Sequence, residues 1–273
     1  MQAYSAWSQP TGTLGAIVAE ARDRAALLKE NEAELAESAA CVPPSPSLAT
    51  ALRQDAVAVI AEVKRRSPSK GWINANISAA DQALSYERGG AAAVSILTEP
   101  AHFGGSVSDL VAVRDTVAIP VLKKDFHVDP IQLVEAKAFG ASAALLIARA
   151  LPPDVLIDMV RTARELAIET IVEIRDDDEL TRALDAGAAI IGINNRNLET
   201  LAIDPRTSER LLARIPAEVI AIAESGVQHR ADVERFAGCG ADAVLVGSVL
   251  SAAANPVEAV RGLTGVPRTS RGR

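Results

Sequence analysis

Histidine and cysteine are scarce in this chain, and neither forms a metal or disulfide framework. Three histidines and two cysteines occur in 273 residues. Cys41 and Cys239 are not part of a CxxC motif, and the histidines show no i,i+4 pairing, so the spacings that hold structural zinc are missing. We therefore expect no metal site and no disulfide, and two unpaired cysteines are typical of a reducing cytoplasm.

Aromatic residues, positive charge and long apolar runs are lacking as well. Aromatics make up 3% of the chain and the formal net charge is −7, whereas nucleic-acid binding needs a basic face and stacking platforms. No apolar run approaches the ~18 residues of a membrane-spanning helix, and the N-terminus lacks the basic and apolar segments of a secretory signal. We therefore expect neither a nucleic-acid nor a membrane partner.

The chain does contain a regular series of short apolar runs, each followed by a segment with helical spacing. The runs are AVAVIAEV, AAVSILT, AIPVLKKDF, SAALLIA, ETIVEI, AAIIGINN, EVIAIAES and DAVLVGS. Glycine ends several of the intervening segments, as in ERGG and DAGAA, which is the usual helix C-terminus. This series of strand–helix units predicts an α/β fold of the (β/α)8 TIM-barrel type. A doubly wound open sheet is the alternative, but it usually carries GxGxxG after its first strand, where this chain has KRRSPSKG.

The chain length fits one barrel of about 250 residues with an additional N-terminal segment. We predict an N-terminal helical extension at 1–55, a catalytic barrel at 56–265 and a C-terminal tail at 266–273. The stretch LGAIVAEARDRAALLKENEAELAESA has the spacing of an amphipathic helix. We expect it to pack over the barrel, and a flexible tail is the alternative.

Charged side chains stand at the ends of several predicted strands, where a barrel of this type builds its active site. In AEVKRRSPSKG at 61–71, Glu62 and Lys64 share a face with Ile60, because side chains alternate along a strand. Later strands carry comparable groups on that face, namely Lys124, Glu173, and Asn194 with Arg196. One such end could be an incidental ion pair in solvent. Their convergence predicts a single site that holds an acid and a base near neutrality.

Small residues end the last two predicted strands, as AESGV at 223–227 and LVGSVL at 245–250. They leave backbone N–H groups free to face an anion, and Ser225 and Ser248 add hydroxyl donors. Either stretch alone is typical of an ordinary turn, but a phosphate site after strands seven and eight recurs in this fold. Together they predict a phosphorylated small molecule as substrate.

These stretches resemble the indole-3-glycerol phosphate synthase family, a tryptophan-pathway barrel. The matching segments, in family order, are IAEVKRRSPSKG, SILTEPAHFGGS, PVLKKDFHVDP, VEI, IGINNRNLETL, AESGV and LVGS. The resemblance implies a cytoplasmic lyase without a cofactor, which we expect to be a monomer. The implied reaction closes 1-(2-carboxyphenylamino)-1-deoxyribulose 5-phosphate to indole-3-glycerol phosphate with loss of carbon dioxide and water.

The resemblance also implies roles for individual residues. The implied catalytic set is Glu62, Lys64, Lys124, Glu173 and Asn194. Glu224 is added to this set because alternation points it inward. Lys124 is the expected general acid for the ketone oxygen, and Asp125 is expected to orient it. Lys64 is expected to hold the substrate carboxylate or hydroxyl and to serve in the later dehydration, while the glutamates do acid–base work as water leaves.

The implied substrate-binding set comprises an apolar wall for the aryl ring, a phosphate site and Arg196, which with Asn194 fixes the substrate hydroxyl and carboxylate. The wall is Pro68, Phe103, Phe126, Leu145, Leu198 and Leu201. The phosphate positions are Ser67, Ser225, Gly226, Gly247 and Ser248. Ordinary core packing is the alternative for Leu145 and Leu201.

Two residues depart from the family pattern. His127 stands where an aliphatic residue is expected, and Arg175 stands where many relatives carry histidine or asparagine. Each follows a predicted strand, and we expect both to face away from the site.

Two other functions are compatible with such a barrel. Phosphoribosylanthranilate isomerase resembles it in the phosphate site but relies on a cysteine at the end of its first strand and an aspartate at its sixth, where this chain offers Glu62 with Lys64 and Asn194. A barrel retained as a non-catalytic scaffold is the other alternative. A scaffold has no use for acids and bases converging at one mouth, so synthase activity is the favoured prediction.

Overall fold

A computed structural model describes residues 7–271, and a closed barrel of eight parallel strands forms its centre. The barrel strands, in chain order, are β1 Ala58–Val63, β2 Ala93–Leu97, β3 Val121–Lys124, β4 Ala143–Ile147, β5 Glu169–Ile174, β6 Ile190–Asn194, β7 Ile220–Glu224 and β8 Ala243–Val246. Each strand pairs with its sequence neighbours, and β8 pairs with β1 to close the ring. The predicted (β/α)8 barrel is therefore confirmed.

Three helices of the described chain precede β1, and the other helices follow the strands and cover the outside of the barrel. The helices, in chain order, are α1 Gly12–Lys29, α2 Glu32–Cys41, α3 Leu48–Leu52, α4 Ala79–Arg88, α5 Pro100–Phe103, α6 Val107–Arg114, α7 Ile131–Ala138, α8 Pro153–Glu165, α9 Asp177–Asp185, α10 Arg206–Leu212, α11 Arg230–Gly238, α12 Ser248–Ser251 and α13 Pro256–Arg261. A 3-10 turn spans Ala148–Ala150, and Arg66–Ser67 pairs with Gly71–Trp72 in a small hairpin after β1. Side-chain caps fix several helix starts; the Asp176 carboxylate, for example, accepts the backbone N–H of Glu179.

The apolar core lies on both faces of the barrel wall because parallel strands in this fold are covered on both sides. Along β1, Val59, Ala61 and Val63 pack outward against the helices. Ala58 and Ile60 point into the barrel with the other inward-facing residues. Because side chains alternate with a period of two, the last inward-facing residue of each strand lies at the C-terminal mouth of the barrel.

The segment before β1 covers both ends of the barrel. Helix α1 lies across the C-terminal mouth, where its Leu14 and Ile17 join the interior cluster. Helix α3 covers the opposite end, where Leu48 and Leu52 are fully buried in the same cluster. The chain after α13 returns to the barrel, since the N–H of Val57 donates to the carbonyl of Val266.

None of the helices in residues 7–271 combines the length and the apolar character that a bilayer crossing demands.

Candidate active site

Strand alternation brings five polar side chains to one mouth of the barrel. They are Glu62, Lys124, Glu173, Asn194 and Glu224, and each ends or nearly ends a strand. Four of them follow an inward-facing apolar residue two positions earlier, and Asn194 follows Gly192. Together with Lys64 the five side chains line a recess of about 660 Å3, which includes space open to solvent. The remaining predicted residues in its wall are Ser67, Pro68, Phe103, Phe126, Leu145, Arg196, Leu198 and Ser225.

Two lysines and three carboxylates share this recess. Lys124 Nζ lies 3.4 Å from Glu173 Oε2 and 3.5 Å from Glu224 Oε2. Lys64 Nζ lies 3.2 Å from Glu62 Oε1, and Ser95 Oγ donates to Glu62 Oε2 at 3.4 Å. The three carboxylates are almost fully buried, so they act on the lysines through a medium that screens charge poorly.

The protonation states follow from this crowding. Although burial favours the neutral amine, Glu224, Glu173 and Glu62 outweigh it and raise the pKa of Lys124. Burial raises the pKa of Glu224 to about 8; Lys124 opposes this rise, and Glu173 and Glu62 add to it. At neutral pH the site thus holds a charged lysine beside a carboxyl group that can gain or lose a proton near that pH.

Two glycines make room for the carboxylates. A Cβ at Gly192 would lie 2.1 Å from Glu224 Oε1, and a Cβ at Gly247 would lie 2.5 Å from Glu62 Oε1. Any larger side chain at either position would displace a site carboxylate. The structure therefore gives Gly247 a role beside Glu62 that the sequence did not predict.

Aromatic and aliphatic side chains form one wall of the recess. The Phe103 and Phe126 rings are tilted with centroids 6.1 Å apart, and Lys64 Nζ lies 5.7 Å from the Phe103 centroid. Leu97, Ile147 and Leu245 also line the recess, and they were not predicted from the sequence. Each is an inward residue at or beside a strand end, so the same alternation argument would have found them.

The predicted phosphate residues surround one side of the recess. Ser225, with φ +65°, donates through Oγ to Asn194 Oδ1 at 2.9 Å. Ser67 and Ser225 line the recess itself, whereas Gly226, Gly247 and Ser248 adjoin it in the same loops without lining it. Ser248 begins α12, which places its N–H at the start of a helical turn. Leu201 also lies off the recess, and its carbonyl accepts a bond from Arg196 at 2.9 Å.

The two departures from the family pattern are placed differently. His127 is buried behind the barrel wall, where Nδ1 lies 2.7 Å from the Leu145 carbonyl and Nε2 lies 3.3 Å from Lys123 Nζ. Arg175, which was predicted to face away from the site, lines a second recess that shares Glu173 and Arg196 with the first. That prediction is wrong because Arg175 lies two positions after Glu173, so alternation puts the two side chains on the same face.

One group of potential metal ligands occurs within residues 7–271, formed by Glu20, Glu99 and His102. The Glu99 carboxylate already accepts the backbone N–H groups of three residues, Ala101, His102 and Phe103. Arg24 NH1 also lies 3.6 Å from Glu99 Oε1. The Arg24 guanidinium therefore already supplies a positive charge beside Glu99. This arrangement is typical of an ion-pair network rather than of a divalent metal site.

Comparison with known proteins adds a family to this geometry. The sequence model of the indole-3-glycerol phosphate synthase family matches residues 14–263. The chain is 49% identical to indole-3-glycerol phosphate synthase 1 of Streptomyces coelicolor, over 84% of this chain and 86% of that protein. It is 43% identical to synthase 2 of the same organism, over 93% and 100%, and 46% identical to the synthase of Rhodococcus jostii, over 83% and 84%.

Solved structures show the same architecture at low sequence identity. The 3-hexulose-6-phosphate synthase of Salmonella typhimurium aligns with a TM-score of 0.60 at 16% identity, over 76% of this chain and 96% of that one. At this identity the likeness supports the barrel fold alone.

A substitution at Ser248 tests the anion site. Ser248→Asp puts a carboxylate where an anion is expected, yet an acidic residue in the first turn of a helix favours folding. We expect Ser248→Asp to lose affinity for inorganic phosphate by about tenfold or more, and Ser248→Ala to lose less. Isothermal titration with phosphate checks this. Unchanged affinity in Ser248→Asp would remove α12 from the site.

The raised pKa of Glu224 predicts a pH dependence of stability. The folded protein holds the Glu224 proton between the ordinary value of 4.5 and about 8, so stability contributed by this group is lost as pH rises through that window. Wild type should lose up to about 1.4 kcal/mol per pH unit more than Glu224→Gln. Urea unfolding at several pH values measures the two slopes. Burial also raises the pKa of Glu179, to about 7, but the contributions of Glu179 and other titrating groups are common to both proteins and cancel in the difference. Equal slopes would contradict the raised pKa.

Proposed function

This chain belongs to the indole-3-glycerol phosphate synthase family of the tryptophan pathway, and we propose that it forms indole-3-glycerol phosphate from 1-(2-carboxyphenylamino)-1-deoxyribulose 5-phosphate. The observation that carries the proposal is Lys124, held between Glu173 and Glu224 in a recess that has an apolar wall on one side. Such a site can bind an aryl ring and protonate an oxygen next to it.

The substrate is proposed to lie across the recess. Its phosphate contacts Ser225 and Ser248, together with backbone N–H groups of the adjoining glycines. Its aryl ring packs on Phe103 and Phe126, whose rings already face one another. The carboxylate is paired by Arg196, which has a hydrogen bond to the Leu201 carbonyl but no carboxylate partner among the described residues. This arrangement leaves the ketone within reach of the mouth lysines.

Ring closure needs a cation at the ketone oxygen. The aryl carbon that bears the carboxylate attacks the ketone carbon, a C–C bond forms, and the oxygen takes a proton and becomes a hydroxyl. Lys124 is the proposed donor because its surroundings keep it protonated. Oriented donors aimed at developing charge are the largest single contribution in many enzymes.

Loss of carbon dioxide and water completes the ring. Cleavage of the C–COO bond returns its electron pair to the aryl ring and restores aromaticity there. The hydroxyl then takes a second proton and leaves as water, and a neighbouring carbon loses a proton to form the indole double bond. Lys64, paired with Glu62, is the proposed acid for this dehydration, and the Glu173 carboxylate is the proposed base.

A direct assay tests the function. Purified protein is mixed with the carboxyphenylamino deoxyribulose phosphate, and the rise of indole fluorescence is followed. We expect the protein to turn over this substrate. We also expect it to be a monomer and to act in the cytoplasm. A folded protein that gives no indole signal would instead favour the scaffold alternative.

Chelation tests the assignment of every proton transfer to lysine and glutamate side chains. Because the proposed steps require no Lewis acid, EDTA should leave kcat unchanged. The control is a parallel assay with added Mg2+ or Zn2+ after chelation. Loss of activity with EDTA and its recovery with a divalent ion would show that a metal takes part.

Replacing each lysine separates the two steps. Lys124→Met keeps the length of the stem and removes the proton donor, so kcat should fall by about 10²–10⁴-fold while substrate still binds. Lys64→Met should weaken binding as well and let a ring-closed intermediate accumulate. Single-turnover absorbance follows ring closure, and indole fluorescence follows dehydration. If Lys124→Met closes the ring at the wild-type rate and stalls afterwards, the two roles are reversed.

A further inference from the structure

One side chain of the N-terminal helix α1 reaches two loops of the proposed active site. Arg24 NH2 lies 2.6 Å from Asp125 Oδ1, and Arg24 NH1 lies 3.6 Å from Glu99 Oε1. Asp125 and Glu99 are 5% and 0% exposed, and they follow neighbouring strands β3 and β2. The guanidinium therefore spans two buried carboxylates on adjacent loops.

Asp125 fixes the loop that carries the proposed acid. It lies between Lys124 and Phe126, and its Oδ1 accepts the Phe126 N–H at 2.8 Å. Its Oδ2 accepts the Thr98 hydroxyl at 2.6 Å, which ties this loop to the end of β2. Burial favours the protonated acid, but Lys123 and Arg24 together lower the pKa of Asp125. Asp125 is thus an ionised anchor, and Arg24 is its closest charged partner.

Glu99 fixes the loop that carries the other aromatic wall residue. Its carboxylate accepts the N–H groups of Ala101, His102 and Phe103, so it caps the short helix α5. Phe103 is the last residue of that helix and packs against Phe126. The orientation of both rings therefore depends on two carboxylates that a single guanidinium connects.

We propose that Arg24 is a positioning residue, which sets the placement of Lys124 and of the Phe103–Phe126 wall through Asp125 and Glu99. The link to catalysis rests on the proposed function above. Arginine suits the task because its planar fork can address two carboxylates from one side chain. Without it, two buried carboxylates lose their shared counter-charge, and the loops relax to hydrate them.

The same helix supplies a matched control. Lys29 Nζ lies 2.5 Å from Asp129 Oδ2, so Lys29 also fastens α1 to the loop after β3. Asp129 lies four positions beyond Asp125, and it is not in the wall of the recess. If α1 acted only by staying docked, Lys29→Met and Arg24→Met would have similar effects.

The kinetic test compares Arg24→Met, Arg24→Lys and Lys29→Met. We expect Arg24→Met to raise KM and lower kcat, with kcat/KM falling on the order of 10²-fold, as for other small misplacements of reacting groups. Its affinity for inorganic phosphate should stay at the wild-type value. Arg24→Lys should recover part of the loss, because an ammonium can pair with Asp125 but cannot span both carboxylates. Lys29→Met should keep wild-type kcat/KM.

Hydrogen exchange measured by mass spectrometry gives a readout that does not depend on turnover. The backbone N–H groups of residues 101–103 donate to Glu99, and that of residue 126 donates to Asp125. These amides should exchange faster in Arg24→Met and at the wild-type rate in Lys29→Met. If Arg24→Met does not fold, Arg24→Lys is read against Lys29→Met in the same segments. If wild type makes no indole, the proposed function fails while the exchange comparison still decides the role of Arg24.

The proposal is overturned by either of two results. One is wild-type kcat/KM and wild-type exchange in Arg24→Met. The other is an equal loss in Lys29→Met, which would show that Arg24 only helps to dock the helix.

Discussion

The burial of Lys124 among carboxylates at the C-terminal mouth of the barrel is the constraint on which the rest of the site depends. Charges in such a place are costly unless they are paired, and here three carboxylates face two ammonium groups. The imbalance keeps Lys124 protonated and leaves Glu224 as the group that takes up the extra proton. The barrel supplies the geometry, because parallel strands deliver their inward side chains to one mouth. Glycine at 192 and 247 then leaves space for two of the carboxylates.

Much of this arrangement could be predicted because strand alternation is a local rule. Glu62, Lys124, Glu173 and Asn194 were placed on the inward face from their parity with Ile60 and similar residues, and the structure brings them into one recess. Arg175 was misplaced because its parity was not followed past the end of the strand: it lies two positions after Glu173 and lines a recess with it. Four predicted binding residues, Leu201, Gly226, Gly247 and Ser248, do not line the recess. For those, the sequence identified the right loops but could not tell which side of each loop faces the cavity.

Contacts between distant parts of the chain could not be predicted. Arg24 and Asp125 are 101 positions apart, and nothing in the spacing of the α1 sequence distinguishes Arg24 from the other charged residues of that helix. The pairing depends on how α1 crosses the barrel mouth, which is set by the burial of Leu14, Ile17 and Val18. From the sequence, the N-terminal extension is predicted only to pack over the barrel. In the structure its helix α1 also contributes the Arg24 guanidinium to the loops that hold the proposed acid and the aryl wall.

The central claim is that surrounding carboxylates keep Lys124 charged so that it can donate to the ketone oxygen. An NMR titration of 13C-labelled lysine side chains, with the Lys124 signal assigned by its loss in Lys124→Met, tests this claim most directly. The account predicts that Lys124 stays protonated through the ordinary lysine range near a pKa of about 10.4, and that Glu173→Gln lowers its pKa. A Lys124 signal that titrates at or below the ordinary range in the wild-type protein would contradict the account.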